Sequence, residues 1–239
     1  MASWVTHLMI ADRVVETFPD LCRHEFMVGN LAPDCNIEKE DGTGYTPPRE
    51  VTHWMSGKRK TANDSVRFLH EYMEKRELTD RREESFLLGY YAHLIADAEF
   101  QRFVRDERRV ADVWSRIRQH PQLKKEASGM EETWDSVKRL ISLEDRMRDI
   151  FAIEKEYLDA HPESGYLTDI MNLTEFPDYL DFLPEGAIVR KIKLLRYLPR
   201  EEERRYPDIG LTKAEYDGYA ASAVELVTGA IGRYRGRNV

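Results

Sequence analysis

The sequence predicts an all-α protein, a single-domain multi-helix bundle packed around one buried central helix, on three observations. Apolar residues recur at helical spacing in segment after segment of the 239-residue chain. Residues 83–106, EESFLLGYYAHLIADAEFQRFVRD, are apolar round nearly the whole circumference of a helix, the pattern of a helix covered on all sides. Gly (13) and Pro (10) are sparse, and Pro falls at plausible element boundaries rather than in the frequent turns of a short-stranded sandwich.

Taken in order, residues 3–18 place Trp4, Leu8, Ala11, Val15 and Phe18 on one helical stripe, which His7 flanks or joins. The segment RHEFMVGNLAPD continues helical and ends at Pro33-Asp34, since the residue before proline is pushed out of the helical region. Residues 35–50 are irregular, with Gly42, Gly44, Pro47 and Pro48 and little apolar content. A loop of that length in a compact domain is more often functional than decorative. Thr61 caps a helix whose stripe runs through Val66, Leu69, Tyr72 and Met73, and the central helix follows. Amphipathic helices are expected at 107–119, 131–141 and 143–160. A proline-punctuated stretch, FPDYLDFLPEG, leads to two last helices near 185–198 and 212–235. Repeats, low-complexity tracts and composition breaks are absent, so residues 1–239 read as one helical domain.

Composition narrows the function. Hydrophobic residues make up 41% and charged residues 33%, which fits a folded chain with a solvated surface. The net charge of −8, from 36 basic and 44 acidic residues, gives no electrostatic reason to expect nucleic-acid or anionic-membrane binding. It is compatible with a small phosphate-bearing substrate, because a bound metal inverts the local field. Cys22 and Cys35 read as ordinary thiols of a reducing compartment. The apolar stretch from Val5 to Val15 is broken by His7, Asp12 and Arg13 and lacks a basic leader. No run approaches the ~18 apolar residues that span a bilayer. A cytoplasmic protein without stable membrane insertion is the expectation.

His93 and Asp97 lie four apart on the central helix, on one face and one turn apart. A buried carboxylate without a partner costs several kcal/mol, so Asp97 requires a cation, strong donors or a proton. The pair alone fits a metal site or a hydrogen-bonded His–Asp couple. His7, Asp34 and His53 each have an ordinary reading too: a satisfied core histidine, a turn cap and a neighbour of Trp54. Together the five supply three imidazoles and two carboxylates, a donor set suited to zinc or a related transition metal.

These residues also carry a resemblance. VTHLMIADR with His7, GNLAPD with Asp34, VTHW with His53 and FLLGYYAHLIAD with His93 and Asp97 resemble the zinc-dependent phospholipase C family, which shares its fold with the S1/P1-type nucleases. The C-terminal helix VELVTGAIGRYRG also looks similar, although the specific motifs are confined to residues 3–104. The resemblance implies a phospholipase C-like helical fold and one to two Zn2+ ions. Asp34, His53, His93 and Asp97 would complete one site, and Asp97 would bridge to a second metal held by His7. Relatives carry a third metal. At its first position, six residues after the bridging Asp, this chain has Phe103, and Asp145 and Asp149 are the nearest analogue of the following motif. That pair is read either as a carboxylate-rich replacement or as a solvated helix face.

The implied activity is metal-assisted hydrolysis of a small phosphoester, diester or monoester, with Asp34 orienting or deprotonating the attacking water. Arg49 and Lys58, either side of His53, are read as phosphate-holding residues or as solvated surface cations. His24, His70, His120 and His161 are read as surface residues. The alternatives are a non-catalytic helical protein with a structural or vestigial zinc, which four protein ligands would close, and an interaction scaffold in which His93–Asp97 is only a buried polar pair.

Overall fold

The computed structural model describes residues 2–55, 64–200 and 202–236. Among these, helices dominate, as the sequence predicts. Helix α1 spans Trp4–Thr17, with Ser3 Oγ accepting from the Thr6 amide at its start. Helix α2 (Arg23–Gly29) is followed by a 3₁₀ turn, Ala32–Asp34. Short helices α3 (Arg49–Thr52) and α4 (Ser65–Phe68) come next, and α4 runs directly into a π-helical turn, Leu69–Met73. The central helix α5 is Arg81–Val104. Beyond it lie α6 (Glu107–Gln119), α7 (Leu123–Glu126), α8 (Trp134–Leu140) and α9 (Leu143–Ala160). A second π-helical turn, Tyr166–Ile170, precedes α10 (Ala187–Leu195) and α11 (Lys213–Tyr234).

Every residue of α5 from Ser85 to Leu94 is buried. The helix packs chiefly against α2 and α11, and α1 lies against α11 and touches α2 and α5. The α2–α5 crossing is very close. A Cβ on Gly89 would collide with the Phe26 carbonyl oxygen, and one on Gly29 with that of Phe86. Both glycines are there because no side chain fits. The main core draws on α1, α2, α5, α9, α10 and α11. A smaller cluster, including Val104, Trp114, Ile117, Trp134 and Val137, lies beneath α6–α8, and Phe100 and Phe103 pack against both.

Several elements differ from expectation. The 35–50 stretch contains a two-residue antiparallel pairing, Ile37 with Thr46 and Glu38 with Tyr45. Thr61 and Lys58 lie outside the described residues; the cap of α4 is Asp64, whose carboxylate accepts from the Arg67 amide. Val66 does not continue the buried stripe: it is 55% exposed, while Phe68, Tyr72 and Met73 are buried. A change from α to π winding after Phe68 rotates the register that a constant 3.6-residue period assumes. Helix α10 is shorter than 185–198 because Gly186, at φ 66, sits left-handed at its start and Arg196 is already extended. Helix α7 and the second π turn were not anticipated, since one turn is too short to display a period.

Candidate metal centre

The five residues singled out in the sequence converge. His7 comes from α1, Asp34 from the end of the 3₁₀ turn, His53 from the residue capping α3, and His93 and Asp97 from adjacent turns of α5. Two groups, His7–His93–Asp97 and Asp34–His53–His93, each present one donor atom apiece within 4.8 Å of one another. His93 belongs to both. The His7 and His93 rings stack 3.9 Å apart at 8°, and His53 meets His93 edge-on at 5.3 Å.

Their hydrogen bonds fix which nitrogens are free. His93 Nδ1 lies 2.8 Å from the Asn30 carbonyl oxygen, which can only accept, so Nδ1 carries the proton. Burial, reinforced by the neighbouring His7, pulls the His93 pKa down to about 3, so the ring is neutral and Nε2 is a bare lone pair. His53 Nδ1 faces the Thr52 hydroxyl at 3.0 Å, and that hydroxyl donates to the Arg49 carbonyl at 3.4 Å. The Thr52 oxygen is thereby left to accept from Nδ1–H, and His53 Nε2 is also bare. The two bare nitrogens face each other at 3.4 Å. His7 has no hydrogen-bond partner on either ring nitrogen, and its Nε2 stands 3.6 Å from Asp97 Oδ1. Buried polar atoms of this kind are rare unless something else binds them, and a cation satisfies them together. Backbone or hydroxyl acceptors on the far ring nitrogen are the usual orienting partners of ligating histidines.

The carboxylates are set for the same role. Burial alone would raise Asp34, but a hydrogen bond from the His53 ring in its cationic form and the charge of a protonated His93 hold it far below the usual carboxylate range. Asp97 is likewise held well below that range against its burial, mainly by His7 and His93. The Trp4 indole donates to Asp34 Oδ2 at 3.3 Å, and the Ala2 amide donates to Asp97 Oδ1 at 3.4 Å. Arg49 bridges the two acids, with Nη1 on Asp34 Oδ1 at 3.1 Å and Nη2 on Asp97 Oδ2 at 3.0 Å. Its side chain is 35% exposed, against 2% for His53, so the cluster reaches solvent along Arg49. Arg49 is therefore a paired residue of the centre, which corrects its reading as a solvated surface cation.

Trp4, Asn30 and Thr52 were missed as members of the site. Thr52 was visible as the residue preceding His53, but a backbone carbonyl such as that of Asn30 leaves no trace in side-chain identity. The third-metal position is filled by aromatics: Phe103 stacks on Tyr219 at 5.5 Å and carries the Arg109 guanidinium at 4.6 Å. Asp145 accepts from Ser142 and Arg148. Asp149 is not on a solvated face as one reading held. It is 3% exposed and accepts from Arg204 and the Asp208 amide, both at 3.3 Å. Neither acid joins a ligand-spaced group among the described residues. His24 is half-buried and pairs with Asp169 at 2.9 Å rather than standing free.

The fold and the centre define an all-α protein with buried His/Asp clusters compatible with a metal ion. Residues 6–99 match the family described as zinc dependent phospholipase C. All five residues fall inside the matched segment. No curated protein and no solved structure gives a significant match.

Proposed function

We propose that this protein is a zinc-dependent hydrolase of small phosphoesters, with Asp34, His53, His93 and Asp97 holding one ion and His7 with Asp97 holding a second. The observation that carries the reading is the convergence of three buried imidazoles on two carboxylates, with His7 lacking a hydrogen-bond partner on either ring nitrogen. Three nitrogen and two oxygen donors suit zinc better than calcium or magnesium, which prefer all-oxygen sets. Bound zinc supplies Lewis acidity, which withdraws charge from a phosphoryl oxygen and acidifies water.

The chain's own residues then divide the work. Asn30 and Thr52 fix the tautomers of His93 and His53, so both offer Nε2. Asp34, ionised and held by the Trp4 indole, accepts a hydrogen bond from the attacking water and orients it. Arg49 is a half-exposed cation paired with both acids. With both carboxylates engaged as ligands, its guanidinium would be free to fork a substrate phosphate.

A closed structural zinc is the second reading, favoured by the near-complete burial of His7, His53 and His93. Elemental analysis and turnover separate the two. Purified protein should contain at least one zinc per chain and hydrolyse bis-p-nitrophenyl phosphate. His93→Ala, with its helical circular dichroism retained, should lose both. Zinc without turnover across a phosphoester panel favours the structural site, and no metal after zinc-replete expression removes both readings.

A further inference from the structure

A cavity of about 320 Å³ lies where α5, α6, α8 and α9 meet the segment leading into α11. It sits at the junction of the two apolar clusters, in the lower part of the roughly 300–1,000 Å³ range of small-molecule sites. It begins one turn past Asp97 on α5, with Phe100 and Gln101, and none of the five residues of the metal centre lines it. Its wall carries Arg105, Arg109, Lys138 and Arg146 and neither Asp nor Glu. That is four cations and no anion in a chain whose net charge is −8. Apolar side chains such as Leu143, Met147 and Ile150 form most of the remaining wall.

The cations are incompletely compensated. Arg109 is 6% exposed, and its guanidinium is held between the Phe103 ring at 4.6 Å and the Trp134 ring at 4.8 Å. It donates to the Val104 and Gly210 carbonyls, but its buried Nε has no hydrogen-bond partner. The carboxylate in reach of Nε, Glu215 at 3.7 Å, already takes both bonds of Arg116 at 3.0 Å and the Thr212 amide at 2.8 Å. Arg146 donates Nε to the Ile141 carbonyl at 3.1 Å, and Arg105 donates to Gln101. Among the described residues neither has a carboxylate at ion-pair distance, whereas Lys138 pairs with Asp135. The carbonyls closing α5 offset part of this charge. They leave an unpartnered guanidinium nitrogen and a second arginine facing a largely apolar space, a costly arrangement without an anion. Burial pulls Arg109 down to about 10 and lowers Arg146 as well, the direction expected of crowded, poorly solvated cations.

We propose that this cavity binds a small organic anion, with a carboxylate or phosphate group against Arg105, Arg109 and Arg146 and an apolar body along Leu143, Met147 and Ile150. Isothermal titration of the full chain tests it with decanoate, decyl phosphate and the neutral decanol, each kept below its aggregation limit. EDTA throughout keeps the His/Asp centre from contributing, so this result stands apart from zinc content and phosphoester turnover. One or both anions should bind one per chain, with decanol at least about tenfold weaker, the discrimination of one charge-assisted hydrogen bond. Decanoate alone would assign a carboxylate ligand, decyl phosphate alone a phosphate ligand, and both the shared chemistry.

Arg146→Gln should weaken binding about tenfold. Leu143→Glu, at a rim position that is 66% exposed and so tolerant of change, should weaken it through a like charge at the mouth. Both variants should keep the zinc stoichiometry of the parent. Absence of binding by either anion, equal binding of decanol, or affinity unchanged in both variants would overturn the proposal.

Discussion

At the residue scale, the centre depends on which imidazole nitrogen keeps its proton. The Asn30 carbonyl and the Thr52 hydroxyl make that choice without touching a ligand position themselves. Losing such an orienting partner typically costs roughly 10–100-fold in metal affinity. Thr52→Val keeps the shape of the side chain but removes the acceptor for His53 Nδ1–H. Zinc affinity, measured by competition with a chromogenic chelator, should fall by about tenfold or more, with helical content unchanged. Unaltered affinity would mean that His53 is not a ligand. Of the candidate donors, His93 and Asp97 were legible from spacing, since they share a helix face whatever the rest of the chain does, whereas His7, Asp34 and His53 came from the donor set taken together and from the resemblance. That His7 stacks on His93 was not legible, because α1 ends at Thr17 and α5 begins only at Arg81.

At the scale of elements, the α2–α5 crossing brings Asp34 up to the central helix. The turn that carries Asp34 begins three residues after Gly29, so the approach of the two backbones sets where its carboxylate lies. Gly89→Ala should destabilise the protein by about 3 kcal/mol, a fall in Tm of roughly 6–12 °C for a chain of this size. Zinc retention should fall with it. Gly218→Ala is the contrasting change, on an exposed position of α11 with nothing near the added carbon. It should leave Tm unchanged or raise it, since alanine is the better helix former by up to about 1 kcal/mol. Calorimetry of the two variants side by side reads the crossing directly. The sequence showed a glycine in the FLLGYYAH motif but not what it faced, because a close approach belongs to two helices and the string displays them one at a time.

For the whole molecule, Glu154 ties distant parts together. It is fully buried on α9 and accepts from Ser3, the Thr6 amide and hydroxyl at the start of α1, and the Tyr197 hydroxyl. The Thr6 hydroxyl in turn meets Tyr216 of α11 at 2.8 Å. Burial pushes the Glu154 carboxyl up to about 7 from 4.5, against the pull of its hydrogen bonds from Thr6 and Tyr197. A carboxyl raised in the folded state binds its proton more tightly there than in the unfolded chain. Its contribution to stability is therefore complete below pH 4.5 and is lost as pH rises to about 7. The amount is on the order of 3 kcal/mol. Glu154→Gln should flatten that decline, and denaturant midpoints of parent and variant between pH 4 and 8 should converge at the acid end. Parallel curves across that range would show that Glu154 is ionised throughout.

The sequence by itself determined what depends on neighbours along the chain. The all-α class follows from apolar period, α6 and α9 fall on their expected residues, and the five chemical residues are written in short local motifs. Tertiary structure decided what depends on residues far apart in the string. It set which imidazole lone pairs point inward, made Arg49 bridge the two acids, and buried Asp149 where a helix period alone allowed it to be solvated. It also gathered four cations round one cavity. Local periodicity is a property of one helix, whereas burial, tautomer and charge compensation are fixed only when several helices close on the same space.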